Sequence, residues 1–318
     1  MSLEDCVTSF AVIGSGAVGG FYGSKLAQAG HDVHFLFRQS AAHVREHGLH
    51  VRSIDGDYHL TDVSAHETHD TIPRCDVVIV AVKSNVNPDV TDVVAAVVKP
   101  GGVVVLIQNG LGGEPLFADA LPADGEVIGG LAFLNSQRTG ANEVTHMGNG
   151  GLTIAGYRPG YEPAGITPGM ELIGAAYEGT TVPVTLDGEL IRARWTKGMW
   201  NIPYNSLSVV LAADTAELMN EPASEALVRT IMEEVSAAAA ADGCELMEGL
   251  MELMLDATRA MEPYATSMKV DYDAGRVLEV ESIVGEPLRR GQGLGVSMPV
   301  VEAVYRQLTF INARIGAV

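Results

Sequence analysis

The stretch from Phe10 to Tyr22 combines the residue types that bind a dinucleotide phosphate. It opens with a short apolar run typical of a buried parallel strand and ends in a helical pattern. Between the two lies a G-x-G-x-x-G motif, formed by Gly14, Ser15, Gly16, Ala17, Val18 and Gly19. Gly14 allows a sharp turn, Gly16 lets the backbone approach the phosphates, and Gly19 lets the helix pack closely on the strand. We therefore expect a pyrophosphate at this helix N-terminus, the alternative being an ordinary turn in a fold that binds no nucleotide.

The residues after the second predicted strand, His31–Phe37, bear on the type of dinucleotide. An NAD-selective site usually has Asp or Glu at this point to bind the ribose 2′-hydroxyl. This chain has no acid there and instead continues with Arg38, Gln39 and Ser40. Because a guanidinium can pair with a 2′-phosphate, the sequence predicts NADPH rather than NADH. A solvated surface arginine is the alternative interpretation of Arg38.

Two more polar residues follow predicted strands. Lys83 comes directly after the apolar run Asp76–Val82, and Asn109 lies in the loop after Gly102–Ile107. Ligands of a parallel sheet lie beyond the carboxyl ends of its strands, so both side chains could reach cofactor or substrate. A solvated lysine and an Asn-Gly turn residue are the alternatives. The occurrence of both residues at strand ends of one sheet favours the functional interpretation.

A row of polar residues lies in residues 192–210, RARWTKGMWNIPYNSLSVV. Lys197, Asn201 and Asn205 would share one face of a helix, because residues four apart lie on the same side. Core helices do not normally carry such a row, although a solvated polar face of an amphipathic helix would also explain it. A second polar cluster, SMKVDYDAGRVLEVE, runs from Ser267 to Glu281.

The elements that must position these residues fall into two halves. Up to Thr185, apolar strand-like runs alternate with helical patterns, which predicts an α/β fold with a Rossmann-type, doubly wound parallel sheet. From Leu190 onward the pattern is helical almost throughout, which predicts a C-terminal all-helical domain. We place the boundary at Asp187-Gly188. The expected domains are an NADP-binding domain of residues 1–187 and a helical substrate and dimerisation domain of residues 188–318.

Three local predictions refine this outline. The stretches Gly48–Ser53 and Tyr58–Val63 are expected to form a small hairpin around Asp55-Gly56. The glycine-containing stretch Val144–Ala155 predicts a second hairpin at the edge of the sheet. In the helical half, Glu245–Met261 predicts one continuous helix.

Composition narrows the classes of partner. The chain has 318 residues, with 40 acidic and 20 basic side chains and a formal net charge of −20. This acidity argues against nucleic acid and anionic membranes as partners, and no apolar run is long enough to span a bilayer. Cys6, Cys75 and Cys244 have no metal-ligand spacing, so we expect no metal and interpret them as reduced thiols of a cytoplasmic protein. We expect no signal peptide, because the N-terminus is acidic before its first strand.

The motifs together resemble those of the ketopantoate reductases (2-dehydropantoate 2-reductases). In order along almost the whole chain they are IGSGAVG, VAVKS, QNGLG, RWTKGMWNIPYN and S-M-x-x-D-x-x-x-G-R-x-x-E. The last two are the specific ones, since many dehydrogenases share the glycine loop. The resemblance implies reduction of a small-molecule 2-oxo acid by hydride transfer from NADPH. It also implies that Lys197 is the proton donor, that Glu279 contacts the cofactor and helps position the lysine, and that the substrate is bound by Asn201, Asn205 and Ser267.

The resemblance also extends to the cofactor side. Arg38, Lys83 and Asn109 match family residues that bind the cofactor, and Asn109 matches one that also faces the substrate. The chain departs from the family pattern at Tyr264, where members often have asparagine, and near Thr215, where some members have an asparagine on the substrate side. These departures concern the choice of substrate rather than the chemistry.

Several other functions stay open at this point. A reductase of the same fold could act on a different 2-oxo acid. An opine- or hydroxyacyl-type dehydrogenase shares the glycine loop but usually relies on a catalytic histidine, and no histidine follows Gly188. A non-catalytic NADPH-binding sensor would not need Lys197 and Glu279 together. The helical half could also present a homodimer face.

Overall fold

A computed structural model of the protein describes residues 7–316. Cys6, which we interpret as a reduced thiol, lies outside this range, and Cys75 and Cys244 are buried. The chain divides into two compact units. The first comprises the residues up to Gln108 together with Gly113–Leu190, and the second comprises Asn109–Gly112 and the residues from Ile191 onward.

The first unit is built on one sheet, which has ten strands within the described residues. The strands are β1 (Ser9–Ile13), β2 (Asp32–Leu36), β3 (Leu49–Ser53), β4 (Tyr58–Leu60), β5 (Ser64–His66), β6 (Cys75–Val80), β7 (Val98–Ile107), β8 (Glu126–Arg138), β9 (Glu143–Gly156) and β10 (Val184–Leu186). Their order is β4-β3-β9-β8-β7-β6-β1-β2-β5, with β10 paired to β9. All pairs are parallel except β3–β4 and β8–β9. The predicted α/β fold with a mainly parallel sheet is therefore confirmed.

Helices cover both faces of this sheet. They are α1 (Ala17–Gln28), α2 (Ala41–His47), α3 (Asn87–Val97), α4 (Glu114–Ala120) and α5 (Pro168–Ala176). Alternate residues of β1 belong to different cores, because successive side chains of a strand face opposite sides. Phe10 and Val12 pack with α1, α2 and α5, whereas Ala11 and Ile13 pack with α3 and α4. A central strand that is apolar on both faces therefore ends at the glycine loop.

The second unit is helical, as predicted. Its helices are α6 (Leu190–Val210), α7 (Thr215–Asn220), α8 (Pro222–Ala241), α9 (Leu250–Ala260), α10 (Ser267–Asp273), α11 (Glu286–Gly293) and α12 (Pro299–Ile315). A π-helical turn, Glu281–Gly285, leads into α11. Between Ile191 and Gly316 the structure contains no strand. The apolar face of α8 is fully buried through Val228, Ile231, Met232 and Val235.

Two of the local predictions are wrong. Val144–Ala155 is not a hairpin at the sheet edge but part of one long strand, β9, which lies between β3 and β8. Asn149, with φ 58°, and Gly150, with φ 138°, form a bulge where the β8–β9 register shifts. Residues with positive φ occur in bulges as well as in turns. Here the chain forms a bulge, because β9 pairs with β8 on both sides of Asn149-Gly150.

The helix predicted over Glu245–Met261 starts later, at Leu250. Gly249, with φ 75°, precedes it in the left-handed conformation. The hairpin around Asp55-Gly56 is present, as β3 and β4 pair antiparallel and Gly56 has φ 109°. Across the described part of the chain, none of the helices combines the length and apolarity needed to cross a membrane.

Candidate active site

The glycine loop has a different steric constraint at each of its three glycines. Gly14 has φ 100°, and a Cβ there would lie 2.6 Å from the backbone nitrogen of Val82. A Cβ on Gly19 would lie 2.3 Å from the carbonyl oxygen of Gly14, so α1 packs directly on the loop. By contrast, a Cβ on Gly16 would meet nothing within 4 Å. The loop is therefore closed on the sheet side and open at Gly16, the residue preceding α1.

Lys83 lies beside this loop because β1 and β6 are parallel neighbours. Ile13 pairs with Val80 at their carboxyl ends, and the Ala81 N–H donates to the Ile13 carbonyl at 2.8 Å. The strand ends at Val80, and Lys83 follows at the start of a short 3₁₀ turn with its side chain exposed. Arg38, one residue beyond the buried Phe37, is also exposed. The first unit thus presents two cations after strands that flank the glycine loop.

The row Lys197, Asn201 and Asn205 lies on α6, as predicted, but its face is not solvated. The three residues are 9%, 8% and 2% exposed, respectively. A burial of this kind is rare for lysine and asparagine unless they are hydrogen-bonded. The amphipathic-surface interpretation of this row is therefore wrong.

The amide of Asn205 ties α6 to the start of α10. Its Nδ2 donates to the carbonyl of Asn201 at 2.9 Å. Its Oδ1 accepts from the Met268 N–H at 3.2 Å and from the Ser267 hydroxyl at 3.4 Å. Ser267 begins α10, whose N-cap is the fully buried Thr266. The structure thus brings together Asn205 and Ser267, two residues that the sequence predicted for substrate binding.

Glu279 is placed by the turn that follows α10. Asp271 accepts from Arg276 Nε at 2.9 Å, and the Arg276 N–H donates to the Asp271 carbonyl at 2.9 Å. Gly275, with φ 64°, allows the intervening reversal. Leu278, two residues after Arg276, is buried and donates its N–H to Asn312 Oδ1 at 2.8 Å. The D-x-x-x-G-R part of the motif therefore has a structural role, which is to fix the chain just before Glu279.

The environment of Lys197 shifts its acidity. Burial, with a smaller contribution from the neighbouring Arg194, lowers the pKa of the Lys197 ammonium from 10.5 to about 7. Glu279, itself 7% exposed, acts in the opposite direction. Loss of hydration disfavours the charged ammonium, whereas a nearby carboxylate favours it. A lysine with a pKa near neutrality can release a proton at physiological pH.

Asn109 joins this cluster through its loop. Asn201 Nδ2 donates to Asn109 Oδ1 at 3.3 Å, and the Leu111 N–H donates to the Ser282 carbonyl at 2.8 Å. Gly110 has φ 87°, and a Cβ there would lie 2.1 Å from that same carbonyl oxygen. Only glycine fits this close approach, so the Asn-Gly pair does more than make a turn.

A small, partly open pocket lies next to Lys197 and Asn201. Its other lining residues are Gly110, Leu111, Arg194, Trp195, Gly198, Ile202, Ile283 and Pro287. Asn205 and Ser267 do not line this pocket: Asn205 lies one helical turn further along α6, and Ser267 bonds to it from the start of α10. The pocket offers an ammonium and an amide on one side and apolar surface on the other, which suits a small polar molecule with an apolar portion.

Two arginines near these residues were not singled out from the sequence. Arg194 precedes Lys197 by three residues, so helical spacing was a signal that could have found it. Arg138, at the end of β8, contacts the glycine loop. No sequence pattern links Arg138 to that loop, because the two are far apart along the chain.

The two positions that depart from the family pattern contact each other. The Tyr264 N–H donates to Thr215 Oγ1 at 3.0 Å, and the Thr215 N–H donates to the Tyr264 carbonyl at 3.1 Å. Thr215 is fully buried. Between residues 7 and 316, no group of three or more His, Cys, Asp or Glu side chains is arranged to hold a metal ion.

Known proteins match this chain over most of its length. Residues 10–159 match the family described as "Ketopantoate reductase PanE/ApbA", and residues 189–312 match "Ketopantoate reductase PanE/ApbA C terminal". A 2-dehydropantoate 2-reductase of Nostoc sp. is 43% identical over 305 residues, covering 96% of this chain and 95% of the Nostoc protein.

Two solved structures of proteins with the same name also align with nearly the whole chain. The Geobacter metallireducens protein is 35% identical, has a TM-score of 0.89, and aligns over 95% of this chain and 99% of its own. The Methylococcus capsulatus protein is 34% identical, has a TM-score of 0.87, and aligns over 96% of this chain and 97% of its own. The chain belongs to the ketopantoate reductase family of nicotinamide-dependent oxidoreductases.

Proposed function

We propose that this protein reduces 2-dehydropantoate to pantoate with NADPH, a step of pantothenate and coenzyme A biosynthesis. The observation that carries this proposal is Lys197, buried beside Asn201 and Glu279 with its pKa brought to about 7. Relatives named for this reaction, one of them 43% identical, support the choice of substrate.

The first unit has features that fit the cofactor. The space beside Gly16 leaves room for a phosphate against the backbone, and the N-terminus of α1 favours an anion there. Arg38 and Lys83 supply positive charge on either side of the loop, in a chain whose net charge is −20. The absence of an acid after β2 and the presence of Arg38 favour NADPH over NADH.

The residues of the second unit can do the remaining chemistry. When bound, NADPH supplies the hydride that adds to the keto carbon of the substrate. As that bond forms, the carbonyl π electrons move onto oxygen, and the Lys197 ammonium stabilises this charge and donates its proton to give the hydroxyl. Asn201 and Asn205 orient the substrate without adding charge, and Ser267 binds its carboxylate or hydroxyl end. Glu279 contacts the cofactor and keeps Lys197 oriented and protonated.

We also propose that the two domains expected from the sequence have different roles. Residues 1–187 would serve as the NADP-binding domain and residues 188–318 as the substrate and dimerisation domain. The glycine loop in the first part and Lys197 in the second support this assignment. Asn109, which bonds to Asn201 and follows β7 in the sequence, would bind both substrate and cofactor.

The test is an assay of the purified protein with NADPH and 2-dehydropantoate, followed at the nicotinamide absorbance band and repeated with NADH. We expect rapid oxidation of NADPH and much slower oxidation of NADH. Turnover with other 2-oxo acids but not 2-dehydropantoate would assign a different substrate to the same site. Tight binding of NADPH without turnover on any 2-oxo acid would replace the proposal with a sensor function.

A further inference from the structure

Arg138, at the end of β8, connects two segments of the first unit that lie far apart in the sequence. Its Nη1 donates to the Ser15 carbonyl in the glycine loop at 3.5 Å, and its Nη2 donates to the Ser40 hydroxyl at 2.5 Å. The guanidinium also lies 5.5 Å from the centre of the Phe37 ring, a cation–π distance. The glycine loop and the residues after β2 are the two segments that hold the adenosine half of a dinucleotide in Rossmann-type folds.

The partners of Arg138 are all uncharged. Besides Ser15 and Ser40, its guanidinium donates to the carbonyls of Gly140 and Ala141. Within the described part of the chain no carboxylate pairs with it. Two other arginines of the first unit behave differently, since Arg45 pairs with Glu67 and Arg52 pairs with Glu143. In a chain with 40 acidic residues, a guanidinium beside the glycine loop without a carboxylate partner is set up to bind an external anion.

We infer that Arg138 binds the 2′-phosphate of NADPH together with Arg38 and Ser40, and that it contributes to the preference for NADPH over NADH. A guanidinium presents a planar fork of donors that matches a phosphate bidentately, and the cation–π contact with Phe37 helps hold the Arg138 side chain in place. Arg38, one residue after Phe37, is exposed and forms no ion pair with residues 7–316. Two guanidiniums and a hydroxyl would thus surround one phosphate. The inference rests on the proposed function, because it assumes NADPH as the cofactor.

A purely structural role for Arg138 makes a different prediction. Its bonds to Gly140 and Ala141 hold the turn between β8 and β9. If this were its only role, its loss would affect NADPH and NADH equally, since both share the pyrophosphate and the nicotinamide. If Arg138 instead binds the 2′-phosphate, its loss weakens the binding of NADPH alone, because NADH has no 2′-phosphate. The ratio of the two dissociation constants therefore separates the roles.

The experiment measures Kd for NADPH and NADH by nicotinamide fluorescence, and competition by 2′-AMP and 5′-AMP, without any substrate. The variants are Arg138→Ala and Arg138→Gln, with Arg52→Ala as a matched control that removes one exposed guanidinium from β3 of the same sheet. We expect Arg138→Ala to raise the Kd of NADPH about 10- to 100-fold and to abolish the advantage of 2′-AMP, with the Kd of NADH nearly unchanged. Arg52→Ala should alter neither.

Arg138→Gln keeps donors for the turn while removing the charge, so it gives the same answer if the alanine variant does not fold. A parallel loss of NADPH and NADH affinity, or an unchanged Kd for NADPH, would overturn the inference. Wild-type protein that binds NADH as tightly as NADPH would overturn both the inference and the proposed cofactor. Because that last result needs only the wild type, failure of the proposed cofactor can be distinguished from failure of the Arg138 inference.

Discussion

At the scale of single residues, the central feature is a lysine that the fold takes out of water. Burial penalises the ammonium, and Arg194 on the same helix adds repulsion, so both lower the pKa of Lys197. Glu279 offsets part of this shift and keeps a proton available. The balance lies near neutral pH, where a proton donor is most effective. An exposed lysine, with a pKa near its ordinary value, would release its proton much less readily.

Replacing Lys197 with alanine tests its role directly. We expect kcat for 2-dehydropantoate reduction to fall at least about 100-fold, because the developing oxyanion loses its stabilising charge and proton source. The Kd of NADPH should stay within a few-fold of wild type. Lys99→Ala, which removes a lysine paired with Asp76 in the first unit, serves as the control and should keep full activity. An unchanged kcat in Lys197→Ala would exclude the proposed proton donor.

The lowered pKa of Lys197 also makes the stability of the fold depend on pH. Between about 7 and 10.5 the unfolded lysine carries a proton that the folded one does not, so the free energy of unfolding rises with pH across this window. Lys197→Met lacks this contribution. We expect Lys197→Met to be more stable than wild type below about pH 7, with the difference shrinking as pH rises toward 10.5. Urea unfolding of both proteins across the window measures the difference, and a difference independent of pH would contradict the shifted pKa.

Gly16 and Gly19 offer a matched pair of substitutions in one loop. Gly19→Ala should lower the free energy of unfolding by about 2 kcal/mol or more, because its Cβ would meet the Gly14 carbonyl oxygen at 2.3 Å. Gly16→Ala should change stability by less than about 1 kcal/mol but raise the Kd of NADPH about tenfold or more, because its methyl group would occupy the phosphate space. Thermal unfolding and NADPH titration of both variants are the measurements. Normal NADPH affinity in Gly16→Ala would place the pyrophosphate elsewhere.

At the scale of elements, α6 must keep its polar row rigid although Pro203 lies inside it. Proline removes one backbone donor from a helix, yet α6 runs for 21 residues. Side-chain donors in its second half bond to its own carbonyls, with Ser206 reaching Ile202 at 2.5 Å and Ser208 reaching Asn205 at 3.2 Å. Trp195, in the wall of the pocket, donates its indole N–H to Asp242 at 2.7 Å. The end of α8 therefore fixes the start of α6.

The carboxylate of Asp242 joins three helices, since Arg290 of α11 also bonds to it through Nε at 2.5 Å and Nη2 at 2.8 Å. Its side chain is 7% exposed, and that of Arg290 is 27% exposed. We expect Asp242→Ala to lower the free energy of unfolding by about 2–4 kcal/mol, because it removes the carboxylate that both a mostly buried guanidinium and an indole N–H bond to. Asp273→Ala, which breaks the exposed pair with Lys269, should cost less than about 1 kcal/mol in urea unfolding. An equal decrease in the free energy of unfolding of the two variants would show that the bonds of Asp242 do not stabilise the packing of the three helices.

At the scale of the whole molecule, two predictions about the setting of the protein stay predictions. The cytoplasmic location rests on the interpretation of the cysteines as reduced thiols, and the homodimer on a helical half that could present a dimer face. Sedimentation equilibrium decides the second, since a chain of 33.5 kDa would sediment at twice that mass if it forms the homodimer. We expect the dimer mass at micromolar concentration, and a mass of one chain would remove dimerisation from the role of the helical half.

The charge of the whole chain bears on cofactor binding. A net charge of −20 repels NADPH at long range, so the cations near the glycine loop must supply the attraction. Arg38, Lys83 and Arg138 are three of the 20 basic side chains of the chain. Their concentration around one loop compensates locally for an acidic protein, and this arrangement becomes visible only when the strands are assembled.

The sequence by itself determined the features of this protein that depend on the spacing of residues close together in the chain. The strand, glycine turn and helix around Gly14–Gly19, the row on α6 and the change from alternating to helical pattern all depend on residues within a few turns of each other. These features established the α/β fold, the helical second half and most candidate residues. Local pattern failed at Asn149-Gly150, because the same backbone preferences suit a turn or a bulge and only the pairing with β8 decides.

The tertiary structure alone decided what those residues can do. It buried the row on α6, so that Lys197 acquired a pKa of about 7 instead of an ordinary surface value. It brought Asn109 to Asn201 across 92 residues and Arg138 to Ser15 across 123 residues. Burial and such distant contacts depend on how whole elements pack, and spacing along the chain carries no information about that packing.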